Sequence, residues 1–268
     1  MRKFIWPLST LAALLLIYFV FIPAFSGNLV INPVIDAGFF HLRLYGLTMG
    51  LAIASAYFCA RHLSWRFGIS KQAVDDYTFW AVIVGFLGAR IYYVGFNWSY
   101  FGQNLSEIYR IWHGGISIYG GLIAGLIFTV IYSRKKAYSF YQLFDLVALS
   151  VPLAQAVGRF GNFFNQEAFG TPTALPWKML VNGQFVHPAF LYEAAADIII
   201  FLILLKFIGR TRPGAIGWTY LGLYSLARFG VEAIRNDSFW IHGIRVDQVT
   251  AVSVLIISAI MLLRLKKD

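Results

Sequence analysis

GRFGNFFNQEAFG, residues Gly158–Gly170, is the stretch on which the reading of this chain turns. It follows an apolar run from Leu143 to Val157 and gathers Arg159, Asn162, Asn165, Gln166 and Glu167 within nine residues. Three glycines and four phenylalanines fill most of the other places. In a soluble chain such a run is a loop, but the flanking sequence is too apolar for that to be the whole account. An arginine in a membrane helix costs roughly 2.5–3.5 kcal/mol at mid-bilayer on insertion scales, and less toward the interface. Two readings stand. One is a membrane-exit loop whose arginine snorkels to the surface. The other is a site for a phosphate-bearing head group, with glycines admitting close backbone approach and Arg and Asn supplying donors.

Composition supports a membrane setting. Of 268 residues, 59% are hydrophobic and 13% charged, against about one quarter charged in an average soluble chain. The formal net charge of +10 does not indicate nucleic-acid binding, because Lys and Arg collect in short connectors where they set orientation and meet anionic lipids. Cys59 is the single cysteine and lies in an apolar segment, so neither an internal disulfide nor a CxxC metal site is available. No histidine pair has metal-ligand spacing, and no GxSxG, Walker or Rossmann motif stands in a suitable context. No metal and no cofactor is expected.

The pattern predicts an all-α, polytopic helical membrane protein with a seven-span core plus an additional N-terminal apolar span. Residues 1–27 read as a signal-like or extra transmembrane segment and 28–268 as the seven-span domain. The core spans are expected at about Leu42–Ala60, Tyr77–Phe96, Ile111–Tyr132, Leu143–Val157, Ala189–Phe207, Ala215–Arg235 and Val249–Leu263. Basic clusters at 61–66, 134–136, 206–212 and 264–267 fall on one side, which the positive-inside rule makes cytoplasmic. Trp98, Trp112, Trp177 and Trp240 fall on the other, together with Gly158–Gly170, so that stretch is expected to face outward.

Several polar residues exceed what a structural bundle requires. Tyr224, Arg228 and Glu232 recur at steps of four, with Arg235 three further on, and so form one polar helical stripe. An Arg228–Glu232 pair neutralises itself but leaves Arg235, Arg90 and Arg159 without an evident counter-charge, which favours an anionic ligand over accidental salt bridges. The run HGGISIYGG, His113–Gly121, offers small residues for close helix packing. His187-Pro188 leads through Tyr192 to Glu193 and reads as a proline-started helix with an acidic first turn.

Taken together, Gly158–Glu167 with Gly170, Tyr45-Gly46, Gly88-Ala89-Arg90, the glycines around Tyr119, His187-Pro188 through Tyr192-Glu193, and Arg228 with Glu232 resemble the prolipoprotein diacylglyceryl transferase family. The resemblance covers about Asn32–Arg235, with Asp247-Gln248-Val249-Thr250 a partial match beyond it. It implies a transferase of the bacterial inner (cytoplasmic) membrane, active on the outer half of the bilayer. The diacylglyceryl group of phosphatidylglycerol passes to the lipobox cysteine thiol of a prolipoprotein, and glycerol-1-phosphate leaves, as the first step of lipoprotein maturation. Membrane lipids and prolipoprotein signal peptides are the implied partners, and nucleic acid is not among them.

On this resemblance Arg159, Arg228, Glu232, Glu167 and Tyr119 carry the catalysis. Arg159, Asn162, Gly170, Tyr45, Arg90, His187, Glu193 and Arg235 bind substrate. The chain departs from the family in its extra N-terminal run and in Tyr119, where many members have a histidine proposed as base. Tyr119 is therefore expected to donate a hydrogen bond, with the thiol's proton passing to Glu167, Glu232 or water. The alternative is a transporter or flippase for an anionic lipid or solute, but the paired broken helices of inverted repeats are not seen in the sequence. A membrane scaffold would not need the Arg–Asn–Glu set.

Overall fold

The computed structural model describes residues 21–29, 32–36, 38 and 41–267. Most of the expected N-terminal span, residues 1–20, lies outside the described residues. Seven long helices carry the fold: α1 (Leu44–Leu63), α2 (Lys71–Phe96), α3 (Ile118–Lys135), α4 (Phe140–Asn165), α5 (Ala189–Leu205), α6 (Ala215–Glu232) and α7 (Val246–Lys267). They fall where the seven core spans were expected. Among the described residues, α2, α4 and α7 are long and apolar enough to cross a membrane. The polar backbone of such a segment must be satisfied internally, which a helix does.

The boundaries differ from expectation at three places, each for a local reason. The stretch Gly158–Asn165 is the end of α4, not a loop. Gly158 and Gly161 sit three apart on one face, toward α1, where a Cβ on Gly161 would lie 2.7 Å from Thr48 Oγ1 and 2.9 Å from the Tyr45 ring. These glycines therefore admit a neighbouring helix. The third core helix begins at Ile118, not Ile111, because Gly114 and Gly115 take positive φ (+88° and +80°) and break any helix before it. Finally, α6 stops at Glu232, leaving Arg235 in the turn beyond.

Three two-stranded antiparallel hairpins supplement the helices: β1 (Val34–Asp36) with β2 (His41–Arg43), β3 (Met179–Val181) with β4 (Gln184–Val186), and β5 (Trp240–Ile241) with β6 (Ile244–Arg245). The sequence reading predicted none of the three, and its first core span was expected to begin at Leu42, inside β2. Two of them turn on dipeptides with both φ positive, Asn182-Gly183 (+49°, +78°) and His242-Gly243 (+48°, +78°), the backbone that matches strand twist in a tight hairpin.

The described chain divides into two compact units. The first holds the described residues of Met1–Ser55, Val151–Leu204 and Trp218–Asp268. Its apolar cluster joins Phe163 at the end of α4, Met179, Val181 and Val186 of the β3–β4 hairpin, and Phe190 of α5. Phe21, which precedes the single helical turn Ile22–Phe25, and Phe25, which ends it, pack their rings 5.2 and 5.8 Å from Phe163. Above this cluster three backbones cross. Gly170 N–H donates to His187 O (2.8 Å), Thr171 N–H to Ile234 O (2.7 Å), and Asn236 N–H to Phe169 O (3.3 Å). A Cβ on Gly170 would stand 2.8 Å from both His187 Cβ and Ile234 O, so only glycine passes without displacing them.

The second unit comprises Ala56–Ser150 and Leu205–Gly217. Ser70 caps α2 by accepting from Ala73 N–H (3.1 Å). Tyr132 of α3 donates to Ala73 O (2.9 Å), and its ring neighbour Tyr77 shares a hydroxyl contact of 2.8 Å with Thr129. Asp145 accepts from Gly214 N–H (2.7 Å) and Gly217 N–H (2.8 Å), satisfying two donors that the start of α6 would otherwise leave open. Packing of α2 on α3 rests on bare backbone. A Cβ on Gly88 would lie 2.8 Å from the Gly120 carbonyl oxygen, and one on Gly120 would lie 3.0 Å from Ala89 Cα. Gly120→Val is expected to separate these helices and cost about 1–3 kcal/mol. Gly121→Ala, whose Cβ would meet nothing closer than 3.5 Å, is expected to stay within about 0.5 kcal/mol of the parent. Thermal unfolding in detergent compares the two.

Candidate active site

Glu193, in the second turn of α5, is buried, at 6% exposed, and collects three arginines. Arg228 donates from Nη1 to its Oε1, and Arg235 Nη1 approaches the same oxygen at 3.3 Å. Arg159 Nη1 lies 2.8 Å from Oε2 as an ion pair, outside hydrogen-bond alignment. Three parts of the chain supply these cations: the end of α4, the face of α6, and the turn after α6. The backbone crossing at Gly170 ties the segments leaving α4, entering α5 and leaving α6, so it fixes where the three guanidinium groups meet.

Each arginine also has its own setting. Arg228 Nη2 reaches Asp247 (2.8 Å) and, one helical turn along α6, Glu232 (2.8 Å). The stripe spacing thus forms the Arg228–Glu232 pair, with Glu232 fully buried. Arg235 grips Asp237 with two parallel hydrogen bonds, Nε to Oδ1 (2.8 Å) and Nη2 to Oδ2 (2.6 Å). Partial burial pushes the Asp237 carboxyl up, and this double contact with Arg235 more than reverses it, holding the group below its ordinary value. Arg245, from β6, donates to the Glu232 carbonyl and lies over the Trp240 ring at 4.8 Å.

The remaining expected residues of this unit take distinct places. Asn162, one turn beyond Arg159 on α4, donates from Nδ2 to Glu167 Oε1 (2.8 Å). Glu167 itself is exposed in the turn after α4, between Gln166 and Ala168, both with positive φ (+51° and +56°). Tyr45, on the first turn of α1, lies beside Gly161. Gly170 and His187 belong to the backbone crossing. His187 Nδ1 lies 3.1 Å from the Tyr192 hydroxyl, which accepts from Trp177 Nε1 (2.7 Å). Gly170 has its N–H committed to His187 O, so it acts on the site by letting the backbones cross.

Arg90 and Tyr119 belong to the second unit. Arg90, 7% exposed, turns its guanidinium into the 107–115 connector and donates to four carbonyls, those of Glu107, Ile108, Gly114 and Gly115, at 2.5–2.9 Å. The sequence reading left both Arg90 and Arg159 without a counter-charge. Arg159 has Glu193, and Arg90 has a ring of carbonyls in place of a carboxylate. In that connector, hydrogen bonding to His113 is the main reason the Glu107 carboxyl is held below its ordinary value, with Arg110 assisting. Tyr119 is half-exposed in the first turn of α3, two residues after Ser117, whose N–H donates to Ala89 O (3.0 Å).

Asp197, Asp237 and Arg245 escaped the sequence reading, and Asp247 entered it only as part of a partial match. Asp237 precedes the β5–β6 hairpin and Arg245 lies in its second strand, so the His242-Gly243 turn was the missed signal. Asp247 stands in the first turn of the last helix, a charge at a span boundary that periodicity alone does not weigh.

The arrangement can hold an anion among rigid forked donors. Residues 33–264 match the family described as prolipoprotein diacylglyceryl transferase. A protein of Fervidobacterium nodosum named phosphatidylglycerol–prolipoprotein diacylglyceryl transferase is 42% identical over 257 residues, covering 91% of this chain and 88% of its own length. Relatives of the same name from Finegoldia magna and Staphylococcus epidermidis are 40% and 41% identical, covering 84% and 87% of this chain and 91% and 88% of their own lengths. The chain belongs to the prolipoprotein diacylglyceryl transferase family.

Proposed function

We infer that this membrane protein is a transferase that moves the diacylglyceryl group of phosphatidylglycerol onto a prolipoprotein cysteine thiol and releases glycerol-1-phosphate. The observation that carries the reading is the meeting of Arg159, Arg228 and Arg235 at Glu193 in a chain of this family. The acceptor is the lipobox cysteine, in the first step of bacterial lipoprotein maturation. The setting is the multi-pass inner membrane, with the cluster open to the outer half of the bilayer.

Chemically, the sulfur attacks a glycerol carbon, the carbon–oxygen bond to phosphate breaks, and the departing phosphate gains a negative charge. Fixed cations aimed at that charge supply the larger part of such catalysis. Arg159 and Arg228 take this role, and Glu193 and Glu232 hold them in place. Asp247, at 31% exposed, is the most accessible of Arg228's three carboxylate partners, so an incoming phosphate displaces it first. Asn162, with Tyr45, Arg235 and His187, orients the head group, while Gly170 shapes the approach. Glu167 receives the thiol proton, since it is exposed and bonded to Asn162 rather than to an arginine. Ordinary thiols have pKa values near ~8.5, so little help is needed there. In the second unit, Arg90 holds the connector that leads to Tyr119.

The test is incubation of purified full-length protein with phosphatidylglycerol and a lipobox peptide. A thioether-lipidated peptide supports the reading, and binding or movement of lipid without it supports transport instead. Arg159→Ala is expected to lower turnover by at least about 10²-fold, with the protein still folded in the membrane. Arg159→Lys should also be poor, because a point charge lacks the planar fork. Near-normal turnover of either removes Arg159 from the phosphate clamp. Tyr119→Phe is expected to slow transfer by roughly tenfold to a hundredfold, the scale of one lost hydrogen bond to a charged group, without shifting its pH dependence. Loss of the basic-group limb from the pH–rate profile would instead make Tyr119 the base.

A further inference from the structure

One carboxylate near the cluster forms no ion pair among the described residues. Asp197 lies one helical turn beyond Glu193 on α5, is 1% exposed, and has an Oδ2 with no hydrogen-bond partner. Among the described residues no cation stands within ion-pair distance of it. The groups facing it are Arg159 from α4 and Tyr220 and Tyr224 from α6, with Glu193 on its own helix, all close enough to act on it electrostatically. Every other carboxylate of the cluster is held by arginine: Glu193, Glu232 and Asp247 by Arg228, and Asp237 by Arg235.

We propose that Asp197 takes up a proton as the anionic phosphate of the lipid enters the arginine cluster, so that substrate binding and protonation of a buried positioning residue are one coupled event. The inference rests on the reading that this cluster receives the phosphate. Its reason is charge balance. Arg159, Arg228, Arg235 and Arg245 already face Glu193, Glu232, Asp237 and Asp247, so an added phosphodiester anion leaves surplus negative charge in a medium that screens it poorly. A proton relieves that surplus at least cost on Asp197, the buried carboxylate that no arginine holds and whose oxygen has an unused lone pair, whereas Glu167 is exposed to water. The step balances: one monoanion enters from the lipid, one proton enters from solvent, and the site's net charge is unchanged. With Asp197 neutral, Arg159 loses a competing anion and turns its full charge to the phosphate.

Calorimetric titration of the full-length protein in detergent with short-chain phosphatidylglycerol tests this, in Tris and in HEPES, two buffers of different ionisation enthalpy. The wild type is expected to take up about one proton per lipid bound, and its affinity to fall by up to about tenfold per pH unit as the pH is raised. Asp197→Asn, neutral at every pH, is expected to bind with no proton uptake and a flat pH dependence, whereas Asp197→Glu keeps both. Binding by the wild type with no buffer dependence overturns the inference and leaves the transferase reading intact. The same uptake in Asp197→Asn also overturns it. Should Asp197→Asn fail to fold, the wild-type buffer comparison decides alone, and no lipid binding at all would fell the inference and the reading together.

Discussion

The buried carboxylate of Glu193 is the interaction on which the first unit depends. Like charges repel strongly in a low-dielectric interior, so Arg159, Arg228 and Arg235 would not remain together without an anion between them. Removing one partner from such a buried set typically costs about 3–5 kcal/mol, because the remaining charges are left uncompensated. Glu193 therefore acts as a template. It pre-assembles forked donors from α4, α6 and the turn after α6, so a ligand need not organise them. The arrangement also limits what can bind. A ligand must offer the arginines at least as good an acceptor as the carboxylates they already hold, which a phosphate does and a neutral head group does not.

That template works only because the backbone is clamped next to it. The chain leaves α4, enters α5 and leaves α6 at one place, where Gly170 passes against His187 and Ile234. The crossing and the Phe163–Phe190 cluster beside it make this end of the unit a small mixed fold joined to a helical one. Its hairpin hydrogen bonds satisfy backbone groups where the helices have ended. The rigidity needed for charge placement thus comes from a short stretch of interlocked backbone, while the helices mainly deliver side chains to it.

Sequence periodicity located all seven long helices, because amphipathic and apolar repeats are local signals. It also placed Arg228 and Glu232 on one face, since steps of four map to one side of any helix. Three-dimensional pairings were not legible. Nothing in the spacing says that Glu193 would join Arg159, which is 34 residues earlier, or that Arg90 would bind carbonyls rather than a carboxylate. The apolar and aromatic character around Asn182-Gly183 masked a hairpin whose turn signal was present. The glycines of Gly158–Gly170 were read as room for a ligand or as part of an exit loop, when two of them serve a helix contact with α1. Asp145 and Asp197 were missed because a lone acid inside an apolar run carries no periodic signature.

Arg90 folds its connector from within. By donating to the carbonyls of Glu107, Ile108, Gly114 and Gly115, it does for irregular chain what a helix does for regular chain, and it reads only main-chain oxygen. The Glu107 carboxylate adds its contacts to Arg110 and His113. At Gly115 a Cβ would press to 2.7 Å from both Arg90 Nη1 and the Tyr93 ring. The other exposed side chains of a segment so templated can change without a new fold.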